Sequence, residues 1–280
     1  MLGPEGFYRL AYADWGLTTA PQVVLCVHGV SRNSHDFDFL APALAAKGVR
    51  VVAPDLPGRG RSDWLPSGAH YDSPVYLAAM ATLIARLGVP QVDWVGTSLG
   101  GYIGMQMAAM PHNPIRRLVL NDFGAHVGHT ALRRISAYLR DAPVLRDLDS
   151  AEAYVRRVLA PFGALTGAQW RHIARHSVMK DAKGALRWHY DPAVANNFSP
   201  FIAFDVVLWQ VWDEIACPVL IMRGEESDLL ARRTMDAMMQ RGHAAAAGKV
   251  TATEWPGCGH APALMADDQI AVVRDFLLGR

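Results

Sequence analysis

One ten-residue stretch, Val92 to Gly101, constrains this chain more than any other. A short apolar run, Val92-Asp93-Trp94-Val95, reads as a buried strand. Gly96-Thr97-Ser98-Leu99-Gly100 follows at once, and Tyr102 to Met110 is apolar nearly all round, as in a buried helix. A G-x-S-x-G motif between strand and helix makes a tight turn in which the serine is strained. A side chain two residues to either side would collide with neighbouring backbone, so glycine is required at 96 and 100. Such a turn presents the Ser98 hydroxyl at the start of a helix, where free N–H groups and the helix dipole favour developing negative charge. The arrangement predicts Ser98 as a nucleophile.

The order of the remaining elements fits a single α/β architecture. Apolar runs at Val23–Val27, Val49–Ala53, Leu118–Asn121, Val219–Met222 and Val250–Trp255 read as strands, preceded by a further strand over Phe7–Asp14. Helical patterns lie between them at Asp36–Lys47, Pro74–Leu87, Ala231–Gln240 and on to Leu278, and Ala244–Ala247 reads as a loop or frayed helix end. This alternation predicts a mostly parallel central sheet with right-handed crossovers and helices on both faces. Nearly a hundred residues between Asn121 and Val219 lack a strand pattern and hold helical runs at Leu132–Leu139, Ala151–Leu159 and Ala168–His176. A connection that long does not stay structureless in a compact domain. It is expected to be a helical cap over residues 124–213, inserted into a core of residues 1–123 and 214–280. Its tryptophans, Trp170, Trp188, Trp209 and Trp212, are expected to face the cleft at the carboxyl ends of the strands.

Composition narrows the function classes. The formal net charge is +1, which argues against a nucleic-acid partner. No apolar run reaches the roughly 18–20 residues of a membrane span. Met1 to Gly6 has neither a basic nor an apolar leader region. Cys26, Cys217 and Cys258 form neither a disulfide framework nor a metal-type spacing. The expectation is a cytoplasmic protein with no membrane partner, no metal and no cofactor. Gly58-x-Gly60 is not a dinucleotide loop, because the third glycine position is Asp63 and no helix begins there. It reads instead as a structural turn. Oligomeric state is not legible.

A serine hydroxyl needs a base, and the base needs a carboxylate. His260, in the Gly-flanked loop after the last strand, is the expected base. Asp228, in the loop after Val219–Met222, is the expected acid, with Asp122 at the end of the preceding strand as the alternative. An oxyanion hole is expected from the backbone N–H groups of Leu99 and Val30, the latter in His28-Gly29-Val30-Ser31-Arg32-Asn33. His28, Arg32 and Asn33 of that loop are possible substrate contacts. His28 would otherwise brace the loop, and Arg32 would otherwise be a surface charge.

With His28-Gly29, Asp55-Leu56-Pro57-Gly58-Arg59-Gly60-Arg61-Ser62, Gly96 to Gly101, Ser227-Asp228 and Gly259-His260 all in order, the chain resembles the α/β-hydrolase fold family over nearly its whole length. More narrowly it resembles capped, esterase-like bacterial members. The resemblance implies a triad of Ser98, Asp228 and His260 and a cap formed by the insertion. One departure is Ala78-Ala79-Met80, where relatives often carry an aspartate. Serine at 98 disfavours chemistry that uses a carboxylate nucleophile, as in haloalkane dehalogenases and epoxide hydrolases. It leaves a small-molecule carboxylic ester as the expected substrate. Cleavage of a lactone, a thioester or a C–C bond in a 2-hydroxy-6-oxo-dienoate is the alternative; a binding-only relative is the non-enzymatic one.

Overall fold

A computed structural model describes residues 1–141, 143–198 and 202–280. Its centre is a seven-stranded sheet: β1 (Tyr12–Trp15), β2 (Val23–Val27), β3 (Arg50–Pro54), β4 (Val92–Thr97), β5 (Ile115–Asn121), β6 (Val219–Gly224) and β7 (Val250–Trp255). The spatial order is β7-β6-β5-β4-β2-β3-β1. β1 runs antiparallel to β3, and every other neighbour pair is parallel. The order reverses between β2 and β4, so the loops after these two strands meet at one point on the carboxyl edge. Open α/β sheets bind ligands at such a switch point.

The helices are α1 (Leu40–Ala45), α2 (Ser73–Leu87), α3 (Leu99–Ala108), α4 (His129–Arg140), α5 (Leu148–Val158), α6 (Gly167–Ser177), α7 (Trp209–Asp213), α8 (Arg232–Met238), α9 (His243–Ala246) and α10 (Asp267–Leu278). Strand side chains alternate between two cores. Val23, Leu25, Val27, Trp94, Leu118, Leu120, Val219 and Ile221 face the layer containing α2, α3 and α8. Val24, Cys26, Val95, Val119, Leu220 and Met222 face α1 and α10. Burial on both faces explains why the parallel strands read as continuous apolar runs rather than alternating ones. Local signals set the helix ends. In α2 the Asp72 carboxylate caps the Val75 N–H, and Gly88 closes the helix at φ 68°.

The segment expected to be wholly helical also contains short strands. α4, α5 and α6 coincide with the expected runs, but Val178–Lys180 pairs with Leu186–Trp188, and His126–Val127 pairs with Val206–Val207. Two- and three-residue strands carry too little periodicity to register in a sequence pattern. At the amino end, the expected strand over Phe7–Asp14 is split: Gly6–Phe7 pairs with Leu2–Gly3, and only Tyr12–Trp15 joins the main sheet. The expected Asp36–Lys47 helix is divided into a 3-10 turn, Ser34–Phe37, and α1. Ala244 lies in the short helix α9. Among the described residues, no helix is long and apolar enough to cross a membrane.

Candidate active site

β4 ends at Thr97, and Ser98 turns the chain into α3 with φ 52° and ψ −112°. A side chain would not fit at either flanking glycine. A Cβ on Gly96 would lie 2.3 Å from the Gly100 carbonyl oxygen, and one on Gly100 would lie 1.9 Å from that of Val27. Gly104 leaves room for Trp94, whose indole N–H donates to the Gly100 carbonyl at 2.9 Å and braces the turn. The strained serine is therefore held by packing on all sides, as such a conformation must be.

His260 approaches Ser98 from the loop after β7. Its Nε2 is 2.9 Å from Ser98 Oγ, and its Nδ1 is 2.6 Å from Asp122 Oδ2. An ionised carboxylate only accepts, so the proton sits on Nδ1 and Nε2 is left to accept from the serine hydroxyl. Asp122 is fully buried and also accepts from the Ser227 hydroxyl at 2.6 Å and the Gly224 N–H at 3.2 Å. Asn121 fixes the histidine loop by donating to the Pro262 carbonyl at 2.8 Å. Gly224 packs so closely under this loop that a Cβ would lie 2.1 Å from the Gly259 carbonyl. Burial, with Asp122 and Glu226 nearby, pushes the Cys258 thiol up to about 12, so it stays protonated beside the histidine.

The carboxylate on His260 is thus Asp122, and the expectation of Asp228 is corrected. Asp228 is half-exposed and pairs with Arg134 of α4 through two bonds, at 2.6 and 2.8 Å. Burial pushes its carboxyl upward, but the Arg134 guanidinium outweighs this and holds it below the ordinary range. The neighbouring residue, Ser227, is the one in that loop that joins the site. Its hydroxyl also accepts from the Leu229 and Leu230 N–H groups, which aims its own proton at Asp122.

Of the three possible substrate contacts, His28 and Asn33 brace the loop itself, while Arg32 borders a small recess beside Ser98. His28 is fully buried: Nδ1 lies 2.7 Å from the Gly29 carbonyl, and Nε2 accepts from the Leu56 N–H at 3.0 Å. Burial lowers its pKa to about 4, so it braces the loop as a neutral ring. Arg32 is buried against Asp36 and the Ser177 hydroxyl, so it is neither a surface charge nor an unengaged cation. Asn33 caps the Ser34–Phe37 turn and donates to the His176 carbonyl at 2.7 Å. What these residues hold in place is Val30. Its carbonyl is gripped by Arg59 Nε at 2.9 Å, and Arg59 lies fully buried between the rings of Tyr71 and Tyr76. Among the described residues, neither the Val30 nor the Leu99 N–H donates to another protein group. In the sequence the only signal for Arg59 is the Gly-Arg-Gly turn. Asp55 fills the space beside Gly60, where a Cβ would lie 2.4 Å from its carboxyl carbon.

Ser98, Val30 and Leu99 form one wall of a cleft of about 420 Å³. Tyr76, Tyr102 and Phe123 of the core line it from below, and Leu132, Ile135, Phe198, Phe204 and Val206 of the insertion from above. That size and apolar character suit a small organic molecule. None of the four tryptophans lines it. Trp170 and Trp212 are buried, Trp212 with its N–H on the Arg241 carbonyl; Trp209 packs beneath the Arg241 guanidinium, and the Trp188 N–H donates to the Pro143 carbonyl. A smaller recess of about 40 Å³, bordered by Gly29, Arg134, Tyr138 and His260, opens on the other side of Ser98.

The chain is similar to known proteins over nearly its whole length. The model of the alpha/beta hydrolase family matches residues 24–273. A 3-hydroxybutyrate-oligomer hydrolase of Cupriavidus necator is 41% identical, over 99% of this chain and 96% of its own length. An esterase of Mycobacterium tuberculosis is 29% identical, over 76% of this chain and 68% of its own. Among solved structures, an alpha/beta hydrolase from Novosphingobium aromaticivorans superimposes with a TM-score of 0.86 at 30% identity, covering 99% of this chain and 96% of that one. A protein from Rickettsia typhi reaches 0.90 at 31% identity, covering 98% and 92%.

Proposed function

The chain belongs to the alpha/beta hydrolase family, and within it we propose that Ser98, His260 and Asp122 form the triad of a serine hydrolase that cleaves carboxylic esters. The observation that carries the reading is the unbroken hydrogen-bonded chain from Asp122 through His260 to Ser98, at 2.6 and 2.9 Å.

In this reaction Ser98 Oγ attacks the ester carbonyl carbon while His260 Nε2 takes its proton. Asp122 holds the imidazole in the required tautomer and stabilises the imidazolium. The carbonyl oxygen becomes an oxyanion that accepts from the Val30 and Leu99 N–H groups. Both border the cleft beside Ser98 and lack a partner among the described residues. As the tetrahedral intermediate collapses, the C–O bond breaks and the departing alcohol takes the proton from His260. Water then enters and gives a proton to His260 as its oxygen bonds to the acyl carbon; the C–Oγ bond breaks, His260 returns the proton to Ser98 and the acid leaves. The insertion acts as a cap, supplying the apolar roof of the acyl site.

The Cupriavidus necator relative makes short oligomers of 3-hydroxybutyrate the first natural substrates to test. A cleft of about 420 Å³ with apolar walls has room for their methyl-bearing four-carbon units. Cleavage of a dienoate C–C bond is the alternative: Arg32 borders the recess beside Ser98 but is paired with Asp36 and Ser177. The test is turnover of 3-hydroxybutyrate dimer and trimer and of p-nitrophenyl butyrate, beside a 2-hydroxy-6-oxo-dienoate. Release of the hydroxy acid, with the dienoate untouched, is the expected result. Efficient dienoate cleavage with only trace ester hydrolysis overturns it.

A further inference from the structure

A second cluster of chemically competent side chains lies outside the cleft, where α6 of the insertion meets the segment following Val30. His172 and His176 are four residues apart on α6 and so share a face. Opposite them, the Ser34–Phe37 turn presents His35, with Asp38 just beyond it. Asp38 Oδ2 lies 2.9 Å from His35 Nδ1 and 3.3 Å from His172 Nε2. The His35 and His176 rings stack with centroids 3.7 Å apart, and His172 and His176 lie at 4.5 Å. The donor atoms of His35, Asp38 and His176 all fall within 4.8 Å of one another. None of these four residues borders the cleft or recess at Ser98.

Three imidazoles around a single carboxylate are too many for ion pairing alone. At most one or two of the rings satisfy themselves on Asp38, and protonating all three would place like charges side by side. Imidazole nitrogen with carboxylate oxygen is the donor set of Zn2+. All four side chains are only half-buried, which leaves an ion a path from solvent. A tetrahedral zinc with bonds of about 2.0–2.1 Å needs ligand atoms roughly 3.3 Å apart. The His35–Asp38 spacing of 2.9 Å is near that value, and the His176 donor lies within 4.8 Å of both. The docking of α6 is otherwise already made, by Asn33 donating to the His176 carbonyl and by His172 Nε2 at 3.2 Å from the His35 carbonyl.

We propose that His35, Asp38 and His176 are a zinc site that fastens the insertion to the segment carrying Val30. The ion would cross-link the Ser34–Phe37 turn and Asp38 to α6 and oppose separation of α6 from the core.

Tag-free protein, stripped with EDTA and dialysed, is titrated with Zn2+ by calorimetry at neutral pH. One ion per chain with a Kd of about 10 µM or tighter is expected, since such sites bind zinc strongly once their ligands are deprotonated. The melting temperature should rise with zinc concentration, because the ion binds only the folded chain. His35→Asn, His176→Gln and Asp38→Asn should each weaken binding at least tenfold and abolish the thermal shift, whereas His260→Ala should do neither. Asp38→Asn preserves the side-chain shape and keeps the test decisive if a histidine variant fails to fold. Weaker binding by the native protein, binding that survives all three substitutions, or binding lost in His260→Ala overturns the proposal.

Discussion

At Asp122 the backbone leaves β5 with φ 56°, a conformation unusual outside glycine and tolerated best by asparagine and aspartate. The turn directs the carboxylate sideways under the His260 loop rather than out to solvent, and three donors meet it there. Nothing of this is visible in the sequence. Asp122 and Asp228 both follow Ser98, precede His260 and close a strand, so chain order and strand position do not separate them. The separation comes from two contacts between distant residues, Ser227 to Asp122 and Arg134 to Asp228. Ser98, His260, Val30 and Leu99 can be named as candidates from the sequence because each has neighbouring glycines that serve a local turn. If Asp122 orients His260, Asp122→Asn costs on the order of ten-thousandfold in kcat, as expected when the histidine is left in the wrong tautomer. Asp228→Asn removes only a half-exposed ion pair worth about 1 kcal/mol or less, and leaves kcat within about tenfold. Steady-state kinetics on p-nitrophenyl butyrate compare the two, and the reverse order would return the role to Asp228.

Among the elements, α4 connects most directly to specificity. It turns Leu132 and Ile135 onto the cleft, while Arg134, between them in sequence, borders the recess and pairs with Asp228. The helix itself was predictable from its apolar spacing; which of its faces meets the substrate was not, because that depends on how the whole insertion packs. The tryptophans misled for the same reason. Trp170 packs with Val155, Ile173 and Met265 in a small cluster where the insertion meets the core, and large aromatic rings supply such clusters as readily as they line pockets. Narrowing the cleft with Ile135→Trp should therefore lower kcat/KM for butyrate relative to acetate by about tenfold, the worth of 1–3 kcal/mol per methylene in an apolar pocket. Trp170→Phe should leave that ratio unchanged. An equal effect of the two substitutions, measured on p-nitrophenyl esters of both acids, would mean that the roof of the cleft does not select the acyl chain.

Over the whole molecule, the parallel sheet was readable because burial on both faces writes itself as unbroken apolar runs, and because the turn at Ser98 admits little but glycine around it. The antiparallel fragments at residues 2–7 and within the insertion were not, since strands of two or three residues leave no pattern. What the fold accomplishes is convergence. The loops after β2, β4, β5, β6 and β7 bring Val30, Ser98, Asp122, Ser227 and His260 to one edge of the sheet from widely separated points in the chain. The claim that this convergence activates Ser98 is tested most directly by the rate at which a fluorophosphonate labels the protein, with the modified residue mapped by mass spectrometry. Rapid stoichiometric modification of Ser98 in the native protein, undiminished in Asp228→Asn, sharply slowed in Asp122→Asn and absent in Ser98→Ala, is the predicted result. Labelling that persists in Ser98→Ala, or that fails in the folded native protein, would contradict it.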